Sequence, residues 1–222
     1  MDLQAQADAF RAQKPGDDVD PSWTLLTGMT LPKSFKTNFA HPQASVFTHM
    51  NDNGFPNLYE DNKMVVYLNT GLPYLNAYPG AEGRAAMSFV HLLVVPRERI
   101  YNIKTMRGES DRALLKYMKD TVDLAFVLPT FRRRLEDELQ KQNFNDVPEA
   151  VLTQENREAF HKSIELLKQA RSKDLSYWFH EHPKHSVGHL HMHVLLATTL
   201  TPAFEIHSHK NVPFDDAIRS IN

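Results

Sequence analysis

The chain contains no cysteine. Disulfides, cysteine-ligated zinc fingers and thiol catalysis are therefore excluded. It also lacks any run of about 18 apolar residues, so no segment reads as a membrane-spanning helix. Neither sign of charge dominates: 25 Lys and Arg stand against 27 Asp and Glu, a formal net charge of −2. Such a balance argues against a general nucleic-acid-binding surface and leaves room for a local basic pocket. Residues Met1 to Asp20 are polar and acidic and hold no apolar signal core. The expectation is a soluble intracellular protein without a membrane partner, cytoplasmic by default, with a nuclear location also compatible.

What the chain does have is histidine. Six of its twelve histidines fall between residues 180 and 193. Three of them, His189, His191 and His193, recur at every second position, with Leu190, Met192, Val194 and Leu196 filling the alternate ones. A period of two is that of a β-strand, whose successive side chains point to opposite faces. One face carries a row of imidazoles about 7 Å apart along the backbone; the other is apolar and reads as core. No packing requirement places three imidazoles in a row, so the row reads as the floor of a site. Imidazole can ligate a metal, or attack phosphorus while its neighbours hold the phosphate oxygens.

At 222 residues a single domain with a substantial core is the default. Residues 1–20 read as a flexible N-terminal arm, in which 2–13 can form a short helix ended by Pro15-Gly16. Residues 21–222 read as one domain, with a helical insertion at 100–172 and a C-terminal tail from 198. Ala44 to Met50 reads as a strand. Glu60-Asp61-Asn62-Lys63 reads as a hairpin turn between Leu58-Tyr59 and the β-branched, apolar run Met64 to Leu68. Residues 70–86 read as a long loop rich in glycine and proline. Met87 to Val95 is a further strand, nearly all apolar, in which His91 is an anomaly; Pro96 ends it.

Ser110 followed by Asp111 reads as a helix N-cap with a first-turn acid. Pro129 should kink or split that helix. Arg132, Arg133 and Arg134 stand four residues before Glu136, Asp137 and Glu138, an expected ion-paired face. A second amphipathic helix follows over Gln154 to Arg171, and Leu175 to His180 is a strand. In the tail, His207 and His209 form another His-x-His without a flanking apolar pattern.

The segment Ser186-Val187-Gly188-His189-Leu190-His191-Met192-His193-Val194-Leu195 resembles the signature of the histidine-triad (HIT) superfamily of nucleotide hydrolases and transferases. Val90-His91-Leu92-Leu93-Val94-Val95-Pro96-Arg97-Glu98-Arg99-Ile100 resembles that family's upstream strand, and Leu58 to Asn69 its opening hairpin. The three occur in family order over about residues 44–200, interrupted by insertions. The resemblance implies an α+β fold with an antiparallel sheet of about five strands and helices packed on one side. It also implies attack by His191 on a nucleotide α-phosphate, through a nucleotidyl-histidine intermediate. On the same basis His193 and His91 would donate to phosphate oxygens, and His189 would order the neighbouring strand. Ser186 would assist the phosphate. His185 stands where relatives often have a polar residue near the leaving group. Asn69 stands where many relatives have an acid that contacts the ribose. No cofactor is implied, and many relatives are homodimers. Candidate substrates are phosphoramidates, dinucleoside polyphosphates, adenylylated ends and capped nucleotides. The alternatives are a nucleotide-binding or interaction protein with little turnover, and a metal enzyme using His189, His191 and His193 or His180, His182 and His185.

Overall fold

A computed structural model of the protein describes residues 3–12, 47, 57–69, 86–141, 153–181 and 189–222. The fold is α+β, built on one antiparallel sheet. Its strands are β1 (Asn57–Glu60), β2 (Met64–Leu68), β3 (His91–Pro96), β4 (Leu175–His180), β5 (Met192–Leu196) and β6 (Asn211–Pro213). They run in the order β1-β2-β3-β5-β4-β6. The sheet thus has six strands, one more than the expectation of about five, and the sixth comes from the stretch that reads as a tail. The helices are α1 (Leu3–Ala12), α2 (Gly108–Phe126), α3 (Pro129–Gln140), α4 (Gln154–Gln169), α5 (Pro202–Ile206) and α6 (Phe214–Ser220). Among the described residues no helix is long and apolar enough to cross a membrane.

The pleat sorts the side chains. Met64, Val66, Leu92, Val94, Met192, Val194 and Leu196 point to one face. There they pack against Leu115, Met118 and Phe126 of α2, Leu135 of α3, Phe160 and Leu167 of α4 and Ala217 of α6. Removing this surface from water, at about 25 cal/mol per Å² of apolar area, is the main term holding sheet and helices together. A smaller cluster, Phe47, Val65, Tyr67 and Val95, covers part of the opposite face. The short α5 also lies on that side, where Phe204 meets Trp178 with ring centroids 5.0 Å apart.

Several local expectations change in the structure. Helix α2 begins before Ser110: its N-cap is Arg107, without a side-chain cap. The Asp111 carboxylate accepts the Arg107 N–H at 2.7 Å instead. Gly108 has φ +69°, a left-handed conformation that glycine adopts at little cost, and its N–H reaches the Asn222 carbonyl at 2.7 Å. Pro129 splits the helical stretch, standing in the first turn of α3. Arg132 donates to the Leu167 carbonyl, while Glu136 pairs with Lys168 at 3.5 Å. The α3–α4 contact thus takes groups expected to pair along one helix. Strand β3 begins at His91 rather than Met87; Ser88 instead forms an isolated bridge with Leu200, and its hydroxyl lies 2.7 Å from Thr199 Oγ1. The expected strand at 44–50 lies outside the described residues except for Phe47, which is helical. Helix α1 is tied to the domain through Arg11, 2.8 Å from Asp111 and 2.9 Å from Glu98. The loop at 70–86 lies outside the described residues except for Ala86.

The hairpin that opens the sheet is fixed by one carboxylate. Asp61 Oδ1 accepts the N–H groups of Lys63 and Met64 at 2.7 and 2.9 Å. Its Oδ2 accepts the hydroxyls of Tyr59 and Tyr117 at 3.1 and 2.7 Å, which joins the turn to α2. Asp61→Ala should lower stability by about 2 kcal/mol, since it leaves four donors without their acceptor. Asp61→Asn, which keeps one acceptor oxygen for the turn, should lose less. Urea unfolding of the three proteins checks both values.

Candidate active site

Sheet order brings histidines from three strands together. Strand β3 pairs with β5 so that Leu93 opposes His193 and His91 opposes Leu195. Strand β4 lies on the other side of β5, with Trp178 opposite His193. His91, His180, His189, His191 and His193 are all buried, and the triad faces away from the helix-covered core that holds Leu190, Met192, Val194 and Leu196. The period of two therefore holds through the whole segment. The ladder begins only at Met192, so His189 and His191 sit just before the strand. They are anchored by other bonds: the Leu190 N–H donates to Ile100 O at 2.7 Å, and His189 Nε2 lies 3.1 Å from Pro96 O. The rings of His191 and His193 lean to 4.7 Å between centroids, closer than the backbone repeat. Phe47 packs against His191 at 5.0 Å.

The hydrogen bonds assign the protons. The Met87 backbone N–H, which can only donate, points at His91 Nδ1 at 3.3 Å. The Asn69 amide nitrogen, also a donor, is 2.9 Å from the same atom. His91 Nδ1 is thus the acceptor, which leaves the proton on Nε2. That Nε2 lies 2.9 Å from His193 Nδ1, so His193 Nδ1 accepts and its Nε2 carries the proton. His193 Nε2 is buried and has no hydrogen-bond partner among the described residues. On the neighbouring ring the polarity is reversed. His191 Nδ1 is 2.8 Å from the His189 carbonyl, an acceptor only, so its proton is on Nδ1 and Nε2 keeps its lone pair. The histidine cluster therefore holds one nitrogen with a free lone pair and one N–H without a partner among the described residues.

Burial keeps these rings neutral. Desolvation lowers the pKa of His91 to about 3 and those of His189 and His191 to about 4, below the ordinary 6.5. It pushes His193 and His180 well down too, with nearby charges adding to the shift. Imidazole at pH 7 is then uncharged throughout the site.

Of the residues singled out in the sequence, His91, His189, His191, His193 and Asn69 come together. Ser186 and His185 lie outside the described residues, as does His182. Asn69 is bonded to His91 both through its side chain and through its N–H to the His91 carbonyl at 2.9 Å. His180 belongs to the site although the triad pattern does not include it. Its ring lies 4.0 Å from that of His193 and 6.3 Å from that of His191, and neither of its nitrogens has a hydrogen-bond partner among the described residues. His207, set aside in the tail, is buried and 6.0 Å from His180. The signal for His180 was its place at the end of a strand; the signal for His207 is not local.

One nitrogen from each of His180, His191 and His193 lies within 4.8 Å of the others. This mixes the two trios named from sequence, since His189 is held by Pro96. A metal bound at His193 Nε2 would require that proton to leave and the His91 relay to reverse, against the Met87 N–H. The arrangement suits hydrogen-bond donation better than ligation.

No protein-family model matches the chain, and a search of curated proteins found no match.

Two measurements check this arrangement. Nitrogen-15 spectra of the histidine rings should show His191 protonated at Nδ1 and His193 at Nε2 at pH 7, and Asn69→Leu should disturb His91 and His193 before His191. Stability should also depend on acid. Above about pH 6.5 the histidines are neutral in both folded and unfolded chains. As pH falls from 6.5 toward 4, only the unfolded chain gains their protons, so stability is lost across that window. At pH 5 the slope of unfolding free energy against pH should correspond to about four to five protons taken up on unfolding, one for each of the five buried histidines.

Proposed function

We propose that the protein is a nucleotide hydrolase or nucleotidyl transferase that attacks the α-phosphate of a nucleotide conjugate through His191. The observation that carries this reading is the bare Nε2 of His191 beside the unpartnered Nε2–H of His193, on a segment that resembles the histidine-triad signature. In the proposed reaction the His191 lone pair forms a P–N bond, and the bond to the leaving group breaks with its electron pair going to that group. Water, or another acceptor, then attacks phosphorus and releases the nucleotide, which restores His191. His193 donates to a phosphate oxygen as charge shifts in the transition state. His91 and Asn69 are positioning residues that set the proton on His193. His189 is a positioning residue for His191, whose Nδ1–H its carbonyl holds. Ser186 and His185 are proposed contacts to the phosphate and the leaving group.

A His-ligated metal enzyme is the second reading, favoured by the closeness of His180, His191 and His193. Product analysis separates the two. Wild type and His191→Ala would be incubated with adenosine phosphoramidate, diadenosine polyphosphates, an adenylylated peptide and a cap analogue, with and without EDTA. The expected result is turnover of at least one substrate that EDTA leaves unchanged, a nucleotidyl adduct on His191 by mass spectrometry, and a loss of about 10³-fold or more in His191→Ala. Loss of activity in EDTA would favour the metal reading. Nucleotide binding without turnover of any substrate would leave a binding protein.

A further inference from the structure

The proposed reaction leaves one flank of the histidine cluster unexplained. Strand pairing sets Trp178 opposite His193 and His180 opposite Asn211, and Trp178 and His180 alternate with Tyr177 and Phe179 along β4. Residues so related share one face of a sheet. It is the face of the triad, because Tyr177 and Phe179 belong to the helix-covered core. All four residues carry buried polar atoms without a hydrogen-bond partner among the described residues: Trp178 Nε1, both ring nitrogens of His180, His193 Nε2 and Asn211 Oδ1. Phe204 of α5 and His207 at its C-terminal end stand against Trp178 and His180, at 5.0 and 6.0 Å between ring centroids. The opposite flank differs: His91 is bonded to Asn69 and His193, and His189 to the Pro96 carbonyl. A buried polar atom without a partner is costly. That cost is concentrated on β4 and β6 beside the triad, where a ligand is its natural complement.

The kind of ligand follows from the donors and acceptors on offer. The His193 N–H is taken by phosphate in the reaction proposed above. Trp178 offers an N–H only, and either tautomer of His180 offers one N–H and one lone pair. Asn211 offers its oxygen, because its amide nitrogen donates to the Phe204 carbonyl at 3.4 Å. A phosphate dianion only accepts, so Asn211 Oδ1 and the His180 lone pair would face its negative charge. A metal cation needs lone pairs and would meet the Trp178 N–H. A hydroxyl both donates and accepts, and it brings no charge into a buried place. We infer that this flank is a binding subsite for an alcohol: the substrate group beyond the attacked phosphate is an uncharged polyol or sugar. Its oxygens take the N–H groups of Trp178 and His180, and its hydroxyl protons go to His180 and Asn211. This rests on the reading of His191 as the residue that meets the α-phosphate. One nitrogen from each of His180, His191 and His193 lies within 4.8 Å of the others, so a group held at His180 is adjacent to a phosphate held at His191 and His193.

The test uses the His191→Ala protein, in which substrate cannot turn over by this route. Two matched esters of AMP, and the same two of GMP, are compared by calorimetry: the glyceryl ester, with free hydroxyls, and the propyl ester, with none. The two carry the same charge. The glyceryl ester of the preferred base should bind at least about tenfold more tightly than the propyl ester. Trp178→Phe, which keeps an aromatic ring against Phe204, and separately His180→Phe, in the same background, should each remove most of that ratio. Both should change the affinity for the propyl ester by less than about twofold. Equal affinities for the two esters, the result if water satisfies these atoms, would overturn the proposal. So would a ratio that survives both substitutions, tighter binding of ADP or GDP than of the glyceryl ester, or one equivalent of zinc on wild type that the glyceryl ester does not displace. Failure of every nucleotide to bind overturns both the subsite and the catalytic reading. A glyceryl preference without any nucleotidyl adduct on wild type supports the subsite and overturns the catalytic reading alone. An adduct without that preference overturns the subsite alone.

Discussion

The site depends on the direction of one hydrogen bond. A backbone N–H has no second way to bond, and that of Met87 faces His91 Nδ1. With the Asn69 amide on the same atom, His91 is confined to one tautomer, and through it His193 is confined too. The His189 carbonyl does the opposite for His191. Two chemically identical rings on one segment thereby come to present, one an N–H, the other a lone pair. Neither assignment depends on a charged residue, which fits a pocket where burial keeps imidazoles neutral.

Burying so many polar rings is unfavourable, and the sheet offsets that cost from its other side. The same residues that alternate with the triad, Leu190, Met192, Val194 and Leu196, are buried against the helices. Sliding β5 by one residue would expose them and drive the histidines into the core. Core packing therefore fixes the register of the site. The hairpin at Asp61 and the β2–β3 pairing carry this order outward, and Asn69 reaches His91 because β2 ends beside the start of β3.

Much of this was legible in the chain. The alternation from His189 to Leu196 placed the site on one sheet face, and the lone His91 in an apolar strand pointed to its partner. The hairpin about Asp61 could be read from its turn residues, and the split at Pro129 from the missing N–H of proline. What could not be read depends on contacts between distant segments. Asn211-Val212-Pro213 is too short to look like a strand, so β6 and its pairing beside His180 had no local sign. Ser110 has the chemistry of an N-cap, but the bond from Arg107 to Asp111 starts the helix earlier. Asn69 could be placed near the site by resemblance, but not its bond to His91, which needs the sheet.

Pro96 has a further effect. Lacking an N–H, it closes β3, and its carbonyl is left to receive His189 at the point where the triad segment has not yet joined the ladder. His191 is thus mounted on a short span held by the Pro96, Ile100 and His189 carbonyls, just ahead of strand β5. Such a span can open without unfolding the sheet, because its bonds are separate from the ladder. Fluctuations of His191 would then be set by the stability of those few bonds rather than by the global stability of the fold.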